Sequence, residues 1–395
     1  MRGRHVVMAA VALAIAVGVP GASASVAAAD KQACAVTNER SGKRVTSLPR
    51  ALAAIRPGDT LTLNGRCRGG VTLDQDVTIV GDGEGAAITG ARGPVSTIIV
   101  GPGVSATLVG LTVTGGPGSS CSGVLSCGGA INSSGTLLLT DTTIDGGTAK
   151  LGGGLYVRRG TTTLGGASAI GGGSSYTGAG AYVEDGAVLV LGDSASIAGN
   201  AASASGGGVQ LLGELYLAGN ATIRDNTALD VGGGGVYFAG DRIGMLGTSA
   251  IASNRAPRGG GIDAHGGLLQ LGEGSSIADN EADETGGGAY LEGVIEVRGT
   301  ARIDGNRAGT GGGGMYATAE AIVNLLESSA VTGNGAPVGG GLYLSGIASL
   351  ADDATITGNT ADDGAGVWFD LGILDGPYCG VTIRDNNGED CNLDG

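Results

Sequence analysis

The stretch GGGAYLEGVIEVRGTARIDGN, residues 286–306, decides the fold, because the chain repeats it with modest changes. The next unit reads GGGMYATAEAIVNLLESSAVTGN at residues 312–334. Units of 25 to 28 residues run from about Leu151 almost to the C-terminus, each opening on glycines and closing on Φ-x-x-Asn, where Φ is Ile or Val. The closing asparagines are Asn200, Asn226, Asn254, Asn280, Asn306, Asn334, Asn359 and Asn386. A fixed period of this length is typical of stacked coils, in which each unit buries its apolar face only against its neighbours.

Each unit also alternates apolar and polar residues. Apolar side chains stand six and eight positions before Φ, as Leu191 and Leu189 do before Ile197, and the residue between them is mostly polar in the other units. This alternation predicts a strand with one buried face, and we expect a second strand that ends at Φ and a third after the glycines. A helix is disfavoured, because each glycine would cost it about 1 kcal/mol. Three strands and three turns per unit predict one coil of a parallel β-helix.

The predicted fold class is therefore all-β, a right-handed parallel β-helix (β-solenoid) of about a dozen coils with a short N-terminal capping helix. We divide the chain into a signal peptide at 1–29, an N-terminal cap at 30–60, the parallel β-helix at 61–376 and a C-terminal cap at 377–395. Within the first cap, residues 46–56 read as an amphipathic helix that Ser47 could cap. Early strands are expected at Val71–Leu73, Val77–Val80, Ile98–Val100 and Leu108–Val113.

The first 29 residues have the pattern of a secretory signal. Arg2 and Arg4 precede an apolar run from Val6 to Val19, and small residues follow to Ala29. A membrane anchor is the alternative, but the run is short for a bilayer span and ends at Pro20 and Gly21. We therefore predict a secreted, extracellular, monomeric protein without a membrane span.

Six cysteines fit an oxidising compartment. Proximity along the chain suggests three local disulfides, Cys34 with Cys67, Cys121 with Cys127 and Cys379 with Cys391, although other pairings stay open. The second would lie in the Gly115–Cys127 insertion, which departs from the repeat length. A metal site is disfavoured, because the chain has no C-x-x-C and only one histidine, His265, outside the predicted signal.

Charge is unevenly distributed along the chain. Residues 31–68 carry eight Lys or Arg and two acids, whereas residues 69–395 carry 12 basic and 34 acidic side chains. An acidic body repels nucleic acid, so we expect no nucleic-acid partner. The basic N-terminal part could contact an anionic cell envelope, although a solvated cap is the simpler interpretation.

The repeated asparagines are expected to be structural. Stacked coils place equivalent residues about 4.8 Å apart, and at this spacing side-chain amides can hydrogen-bond from one coil to the next. Asparagine also tolerates the left-handed backbone conformation that a sharp turn requires. We therefore interpret the closing asparagines as a structural ladder.

The glycine openings and asparagine closings of the units resemble those of known repeat proteins. Gly-Gly-Ala-Ile at 128–131, the later Gly-Gly-Gly-Φ-Tyr openings and the Φ-x-x-Asn closings resemble the repeats of chlamydial polymorphic outer-membrane proteins, and more broadly those of pectin-lyase-like β-helices. The resemblance covers roughly residues 50–390. It implies surface adhesion or an extracellular passenger role. The chain departs from the family in having Ile or Val in place of its Phe, and we expect no C-terminal membrane barrel.

A column of aromatic residues after the glycines is the first candidate binding site. Its members are Tyr156, Tyr182, Tyr237, Tyr290, Tyr316, Tyr343 and Trp368. Gln210 and Asp263 occupy the same position in two units, between apolar neighbours, so we expect the column to point outward as an exposed stripe that stacks on sugars. The alternative is ring-on-ring packing between adjacent strands without any ligand.

The second candidate is catalytic. The pectin-lyase-like resemblance implies polysaccharide lyases and hydrolases, which need clustered carboxylates and a basic residue. Asp263 and His265, with Arg258 near in sequence, are the place where acid, imidazole and cation gather, and alternation puts Asp263 and His265 on one face. Acid pairs at Asp352-Asp353 and Asp362-Asp363 read as solvated turns.

The function that we favour from sequence is non-catalytic extracellular adhesion or polysaccharide binding, with an extracellular polysaccharide or cell surface as partner. A polysaccharide lyase or glycoside hydrolase is the first alternative, and a purely structural surface protein is the second. No cofactor is expected. Calcium stays possible because the body is acidic, but the sequence names no ligand set.

Overall fold

A computed structural model describes residues 33–90, 93–121, 123, 126–375 and 382–392. These residues form an all-β parallel solenoid of about 12 coils. The coils contribute strands to four sheets, which we number 1 to 4 in the order in which a coil visits them. The prediction of three strands per coil is therefore wrong, because a fourth strand follows the closing asparagine in many coils.

Sheets 1 and 2 lie before the closing asparagine of each coil. Sheet 1 has 15 strands, in order Arg44–Val45, Ala35–Asn38, Asp59–Asn64, Val77–Gly81, Ser105–Val109, Thr136–Thr140, Thr161–Gly165, Val188–Leu191, Glu214–Leu217, Arg242–Met245, Leu268–Leu271, Val294–Val297, Ile322–Leu325, Ile347–Leu350 and Ile373–Asp375. Sheet 2 has 12 strands, in order Arg66–Arg68, Ala87–Thr89, Thr112–Thr114, Thr143–Asp145, Ala169–Gly171, Ser196–Ala198, Thr222–Arg224, Ala250–Ala252, Ser276–Ala278, Arg302–Asp304, Ala330–Thr332 and Thr355–Thr357. The predicted strand at Leu108–Val113 is split between these two sheets by a turn at Gly110 and Leu111.

Sheets 3 and 4 lie after the asparagine and after the glycines. Sheet 3 has nine strands, in order Ser119–Ser120, Ser126–Cys127, Thr148–Leu151, Ser174–Thr177, Ala201–Ser205, Thr227–Ala228, Arg255–Arg258, Glu281–Thr285 and Arg307–Ala308. Sheet 4 has 13 strands, here given in chain order as Val71–Leu73, Ile98–Val100, Ile131–Ser133, Leu155–Val157, Ala181–Val183, Val209–Leu211, Val236–Phe238, Ile262–Ala264, Ala289–Leu291, Met315–Ala317, Leu342–Leu344, Val367–Phe369 and Cys391–Asn392. The predicted strands at Val71–Leu73 and Ile98–Val100 are confirmed.

The apolar residues of the alternating pattern form the core. Leu189 and Leu191 face inward and pair in register with Leu215 and Leu217 of the next coil. Sheet 3 has a different interior column made of alanine: Ala202, Ala228, Ala256, Ala282 and Ala308 are all buried. The sequence Asn-x-Ala occurs at the fourth strand of these coils. Because alanine has a low strand propensity, this pattern does not predict a strand from the sequence alone.

The asparagine ladder is confirmed. Asn254 Nδ2 donates to Asn280 Oδ1 at 3.0 Å and to the Ile223 carbonyl at 3.0 Å. Its own Oδ1 accepts hydrogen bonds from the backbone and side-chain nitrogens of Asn226. The left-handed residue, however, is the one before the asparagine, as with Asp225 (φ 55) and Asp279 (φ 53). The asparagines themselves therefore serve as inward-facing hydrogen-bond partners rather than as the turn residues.

The N-terminal end differs from the repeats. Ala35–Asn38 pairs antiparallel with both Asp59–Asn64 and Arg44–Val45. A helix spans Leu48–Leu52, which is shorter than predicted, and Ser47 at its N-cap makes no side-chain capping hydrogen bond. Leu48 is buried in the core. The capping role of this helix stays a prediction.

Two of the three expected cysteine pairs are present. Cys34 pairs with Cys67, and Cys121 pairs with Cys127, where Ser119–Ser120 and Ser126–Cys127 form a small antiparallel hairpin. The pairing of Cys379 with Cys391 lies outside the described residues, since Cys379 is not among them. The predicted signal peptide lies outside them too, as do residues 377–381 and 393–395 of the predicted C-terminal cap. No helix of the described part is long and apolar enough to cross a membrane.

Candidate functional site

The aromatic column lies at the middle position of successive strands of sheet 4. Tyr290, Tyr316, Tyr343 and Trp368 pair in register from coil to coil, and their inward neighbours in each strand are mostly buried apolar residues. Tyr156 and Tyr182 pair in the same way nearer the N-terminus. The predicted column is therefore a real row on the outer side of one sheet.

Neighbouring rings of the column stack on one another. Ring centroids are 5.5 Å apart between Tyr156 and Tyr182, 5.4 Å between Tyr290 and Tyr316, and 4.4 Å between Tyr316 and Tyr343. Trp368 is tilted against Tyr343 at 6.4 Å. These are the separations of favourable aromatic pairs, so the faces of the stacked rings are in contact with each other.

The prediction of an exposed stripe is wrong. Tyr156 is 2% exposed, Gln210 is 7% exposed and Asp263 is fully buried, while the other members are half-buried. Side chains from the end of sheet 3 close over the column, since Ser205 donates to Gln210 at 2.8 Å and the Arg258 guanidinium lies 4.4 Å from the Tyr290 ring centroid. Outward direction alone therefore does not make every member of the column accessible.

Burial has an electrostatic consequence for the tyrosines. It raises the pKa of Tyr182 and of Tyr343 to about 12, with the Glu184 and Asp370 carboxylates adding to the respective shifts. The pKa of Tyr156 is raised as well, by burial and by its hydrogen bond to Glu184. Near neutral pH these hydroxyls are therefore protonated, and that of Tyr156 already donates to Glu184.

The catalytic candidates Asp263, His265 and Arg258 come together in the structure. Asp263 Oδ2 lies 3.2 Å from Arg258 Nη2, and Asp263 Oδ1 lies 3.1 Å from His265 Nε2. The other imidazole nitrogen, Nδ1, lies 2.8 Å from Glu292 Oε2 in the next coil. The result is a chain of four charged or titratable groups that runs across two coils.

Glu292 was missed by the sequence reasoning. It stands 27 residues after His265, which is one repeat. The residue two places after each member of the aromatic column forms a column of its own, and aligning the units on that column would have placed Glu292 beside His265. Gly232 was missed too: a Cβ there would lie 2.1 Å from Asp263 Oδ2. Glycine at this position leaves room for the buried carboxylate.

The protonation of His265 decides how the cluster is bonded. Arg258 Nη2 lies 3.1 Å from His265 Nε2, as close as Asp263 Oδ1 does. Neutral His265 can accept from Arg258 at Nε2, whereas the protonated ring donates toward Asp263 and Glu292. In the described geometry Asp263 Oδ1 has no well-aligned donor, although it is fully buried. The Asp263 carboxylate is the largest cause of a raised pKa at His265; burial opposes it and Glu292 adds to it.

The chemistry available at the surface of this cluster is limited. The Asp263 side chain is 0% exposed, whereas His265 and Glu292 are 20% and 36% exposed. Only the latter two could exchange a proton with a bound molecule. Among the described residues no group of three or more His, Cys, Asp or Glu side chains could hold a metal ion.

A surface hollow of about 330 Å³ lies far along the chain from this cluster. It lies between the helix and the first strand of sheet 4 and is lined by Pro49, Leu52, Ala53, Gly70, Val71, Thr72, Asp74 and Gln75. Asp74 is the one titratable side chain that lines this hollow, so the hollow does not combine an acid with a base. The predicted acid pairs also stay apart from the cluster, with Asp352, Asp353 and Asp362 exposed and Asp363 accepting from Asn392 at 2.5 Å.

No protein-family model, curated protein or solved structure matches the chain.

Proposed function

We propose that this protein is a secreted, non-catalytic extracellular protein that binds a polysaccharide along the aromatic column. The observation that carries the proposal is the contiguous stack of Tyr290, Tyr316, Tyr343 and Trp368 on one sheet. Because the ring faces contact one another, the ligand meets ring edges and protonated tyrosyl hydroxyls. Such a row favours hydrogen bonding to the hydroxyls of an extended sugar chain over stacking of each sugar on a ring face.

The scaffold around the column supports an extended ligand. Coils follow each other at the spacing of paired strands, about 4.8 Å. The connections between sheets are short in most coils, so the column is not enclosed by long loops in the part of the chain that the structure describes. A flat, repetitive face of this kind suits a polymer that repeats along its length.

Replacing tyrosine by phenylalanine tests this proposal most sharply. The triple variant Tyr290→Phe, Tyr316→Phe, Tyr343→Phe keeps the ring stack and removes only the hydroxyls. We expect it to lose retention on the immobilised neutral polysaccharides that retain the wild-type chain, among cellulose and xylan, with an unchanged circular dichroism spectrum. The matched control is Tyr176→Phe with Tyr216→Phe, which removes hydroxyls outside the column.

Two results would contradict the proposal. Unchanged retention of the triple variant would show that the column hydroxyls do not bind the polysaccharide. A wild-type chain that none of the polysaccharides retains would favour the purely structural alternative.

The alternative function is a polysaccharide lyase or glycoside hydrolase. In that case the Asp263–His265–Glu292 cluster would be the catalytic site. Both carboxylates are engaged with His265, and Asp263 is covered, so we expect no turnover. The test follows new reducing or unsaturated ends from cellulose, xylan and polygalacturonate, with and without calcium. Product that disappears in Glu292→Gln and His265→Gln would establish the enzyme and overturn the non-catalytic proposal.

The extracellular location rests on the predicted signal peptide and on cysteine chemistry. Disulfides such as Cys34–Cys67 persist in oxidising compartments. The resemblance of the repeats to chlamydial polymorphic outer-membrane proteins supports a role at a cell surface by analogy only.

A further inference from the structure

The N-terminal end of the solenoid carries a set of exposed cations, which we call the basic end. Its members are Lys43, Arg44, Arg50, Arg56, Arg66 and Arg68, and all six are exposed. Arg40 is different, because it pairs with the buried Asp59 at 2.6 Å. None of the six takes part in an ion pair with any residue that the structure describes. Their charge is therefore available to a partner.

The topology distributes these cations around the end rather than along one strand. Arg44 belongs to the edge strand of sheet 1, and Arg66 and Arg68 point outward from the first strand of sheet 2. Arg50 lies on the helix, which packs beside the first strand of sheet 4. Cys67, between the two arginines of sheet 2, is held to Cys34 by a disulfide. The positive charges thus lie on several sides of the first coil, next to the Cys34–Cys67 disulfide.

Charge changes sign along the solenoid. Residues 69–160 carry four basic and six acidic side chains, whereas residues 161–395 carry eight basic and 28 acidic side chains. A polyanion is therefore attracted to one end of the molecule and repelled by the other. Binding at the basic end would orient the solenoid with its acidic coils away from the partner.

The side chains near the basic end narrow the class of partner. The exposed large apolar residues lie elsewhere in the described chain, beginning at Tyr176, so the basic end offers no apolar anchor for a lipid surface. The chain has no aromatic residue before Tyr156, so this end has no platform on which nucleic-acid bases could stack. Arginine is the main cation here, and its planar guanidinium pairs with two oxygens of a carboxylate or a similar oxyanion.

We propose that the basic end is a docking surface for an acidic polysaccharide, which the protein binds end-on. This site is separate from the aromatic column and does not depend on it. The acidic groups of the polymer pair with the exposed arginines of the basic end, and repulsion keeps the polymer off the C-terminal coils.

The test compares two variants of equal charge change in the full secreted chain. The first carries Arg44→Gln, Arg56→Gln, Arg66→Gln and Arg68→Gln. The control carries Arg224→Gln, Arg302→Gln, Arg307→Gln and Arg384→Gln, which are exposed arginines of the acidic coils. Binding is measured to dextran sulfate and to polygalacturonate, with uncharged dextran as the blank, over a series of salt concentrations.

We expect the first variant to bind dextran sulfate at least about tenfold more weakly, with a shallower dependence of log Kd on log salt, because fewer counterions are released. The control should bind as the wild type does or more weakly by less than twofold. The phenylalanine variant of the aromatic column should keep this binding, which separates the two proposals.

Four results would overturn the inference. Equal losses in both variants would mean that net charge alone acts, and no loss in either would mean that the basic end is not used. Wild-type binding to phosphatidylserine vesicles but not to the polymers would assign a membrane as the partner. Self-association at low salt that the first variant abolishes, without polymer binding, would assign a second copy of this chain.

Discussion

His265 stacks on Tyr237, with ring centroids 4.9 Å apart, and lies 6.3 Å from the ring of Tyr290. It thereby fills the gap that Asp263 creates in the aromatic column. Asp263 replaces a ring with a buried carboxylate, and that carboxylate holds the imidazole beside it. His265, which the sequence suggests as a catalytic residue, therefore also joins the ring of Tyr237 to that of Tyr290 across the coil that has Asp263 in the column.

Protonation of His265 should make stability depend on pH. The pKa of His265 is raised by Asp263, so the stabilisation is complete below the unfolded value of about 6.5 and is lost as pH rises through the folded pKa. We expect the thermal unfolding midpoint to fall across this window. His265→Gln should flatten the curve there, since the other histidine, His5, lies in the predicted signal. A midpoint that changes equally with pH in both chains would contradict the assignment.

Removal of one ladder asparagine should destabilise the solenoid. Asn254→Ala removes the acceptor of the buried Asn226 backbone and side-chain nitrogens. A buried group without a partner costs about 1 to 3 kcal/mol, so a loss in this range is expected in denaturant unfolding. Asn324→Ala is the control, because Asn324 lies on the outward side of sheet 1. Equal stability of the two variants would argue against a structural ladder.

The third glycine of the cluster at residues 286–288 is expected to tolerate no side chain. A Cβ at Gly288 would lie 2.5 Å from the Gly314 carbonyl oxygen, whereas at Gly335 the nearest neighbour, the Thr360 carbonyl oxygen, is 3.8 Å away. Gly288→Ala should therefore cost about 1 to 3 kcal/mol through overpacking. Gly335→Ala should be close to neutral by the same unfolding measurement. A neutral Gly288→Ala would mean that adjacent coils can separate without cost.

The Cys34–Cys67 disulfide should stabilise the basic end more than the hairpin disulfide stabilises its loop. The first closes 33 residues and the second closes 6, which corresponds to about 4 and about 2 kcal/mol in the chain-entropy estimate. Replacing both cysteines of each pair by serine should therefore speed amide exchange in Ala35–Asn38 more than in Ser119–Ser120. Faster exchange confined to the hairpin would reverse this order.

The repeat and its alternation predict the solenoid because both are local properties of the chain. Leu189 and Leu191 reveal an inward face by spacing alone, and Asn254 reveals a ladder by recurrence. The fourth strand escapes this reasoning because its inward residue is alanine, as at Ala202, and alanine is not distinctive of strands. The left-handed position escapes it too, because Asp225 and Asn226 both belong to the residue types that tolerate such a conformation.

The sequence by itself determined the period, the ladder and the inward face, since each depends on residues of one coil seen against the same positions in the next. Only the tertiary structure decided the burial of Asp263 and the half-burial of the tyrosines. Arg258, for example, lies over the ring of Tyr290 in the next coil and hydrogen-bonds to Asp263, and the spacing of residues in the sequence does not reveal these contacts. Alternation gives the direction of a side chain, whereas the neighbours of that side chain determine what can reach it.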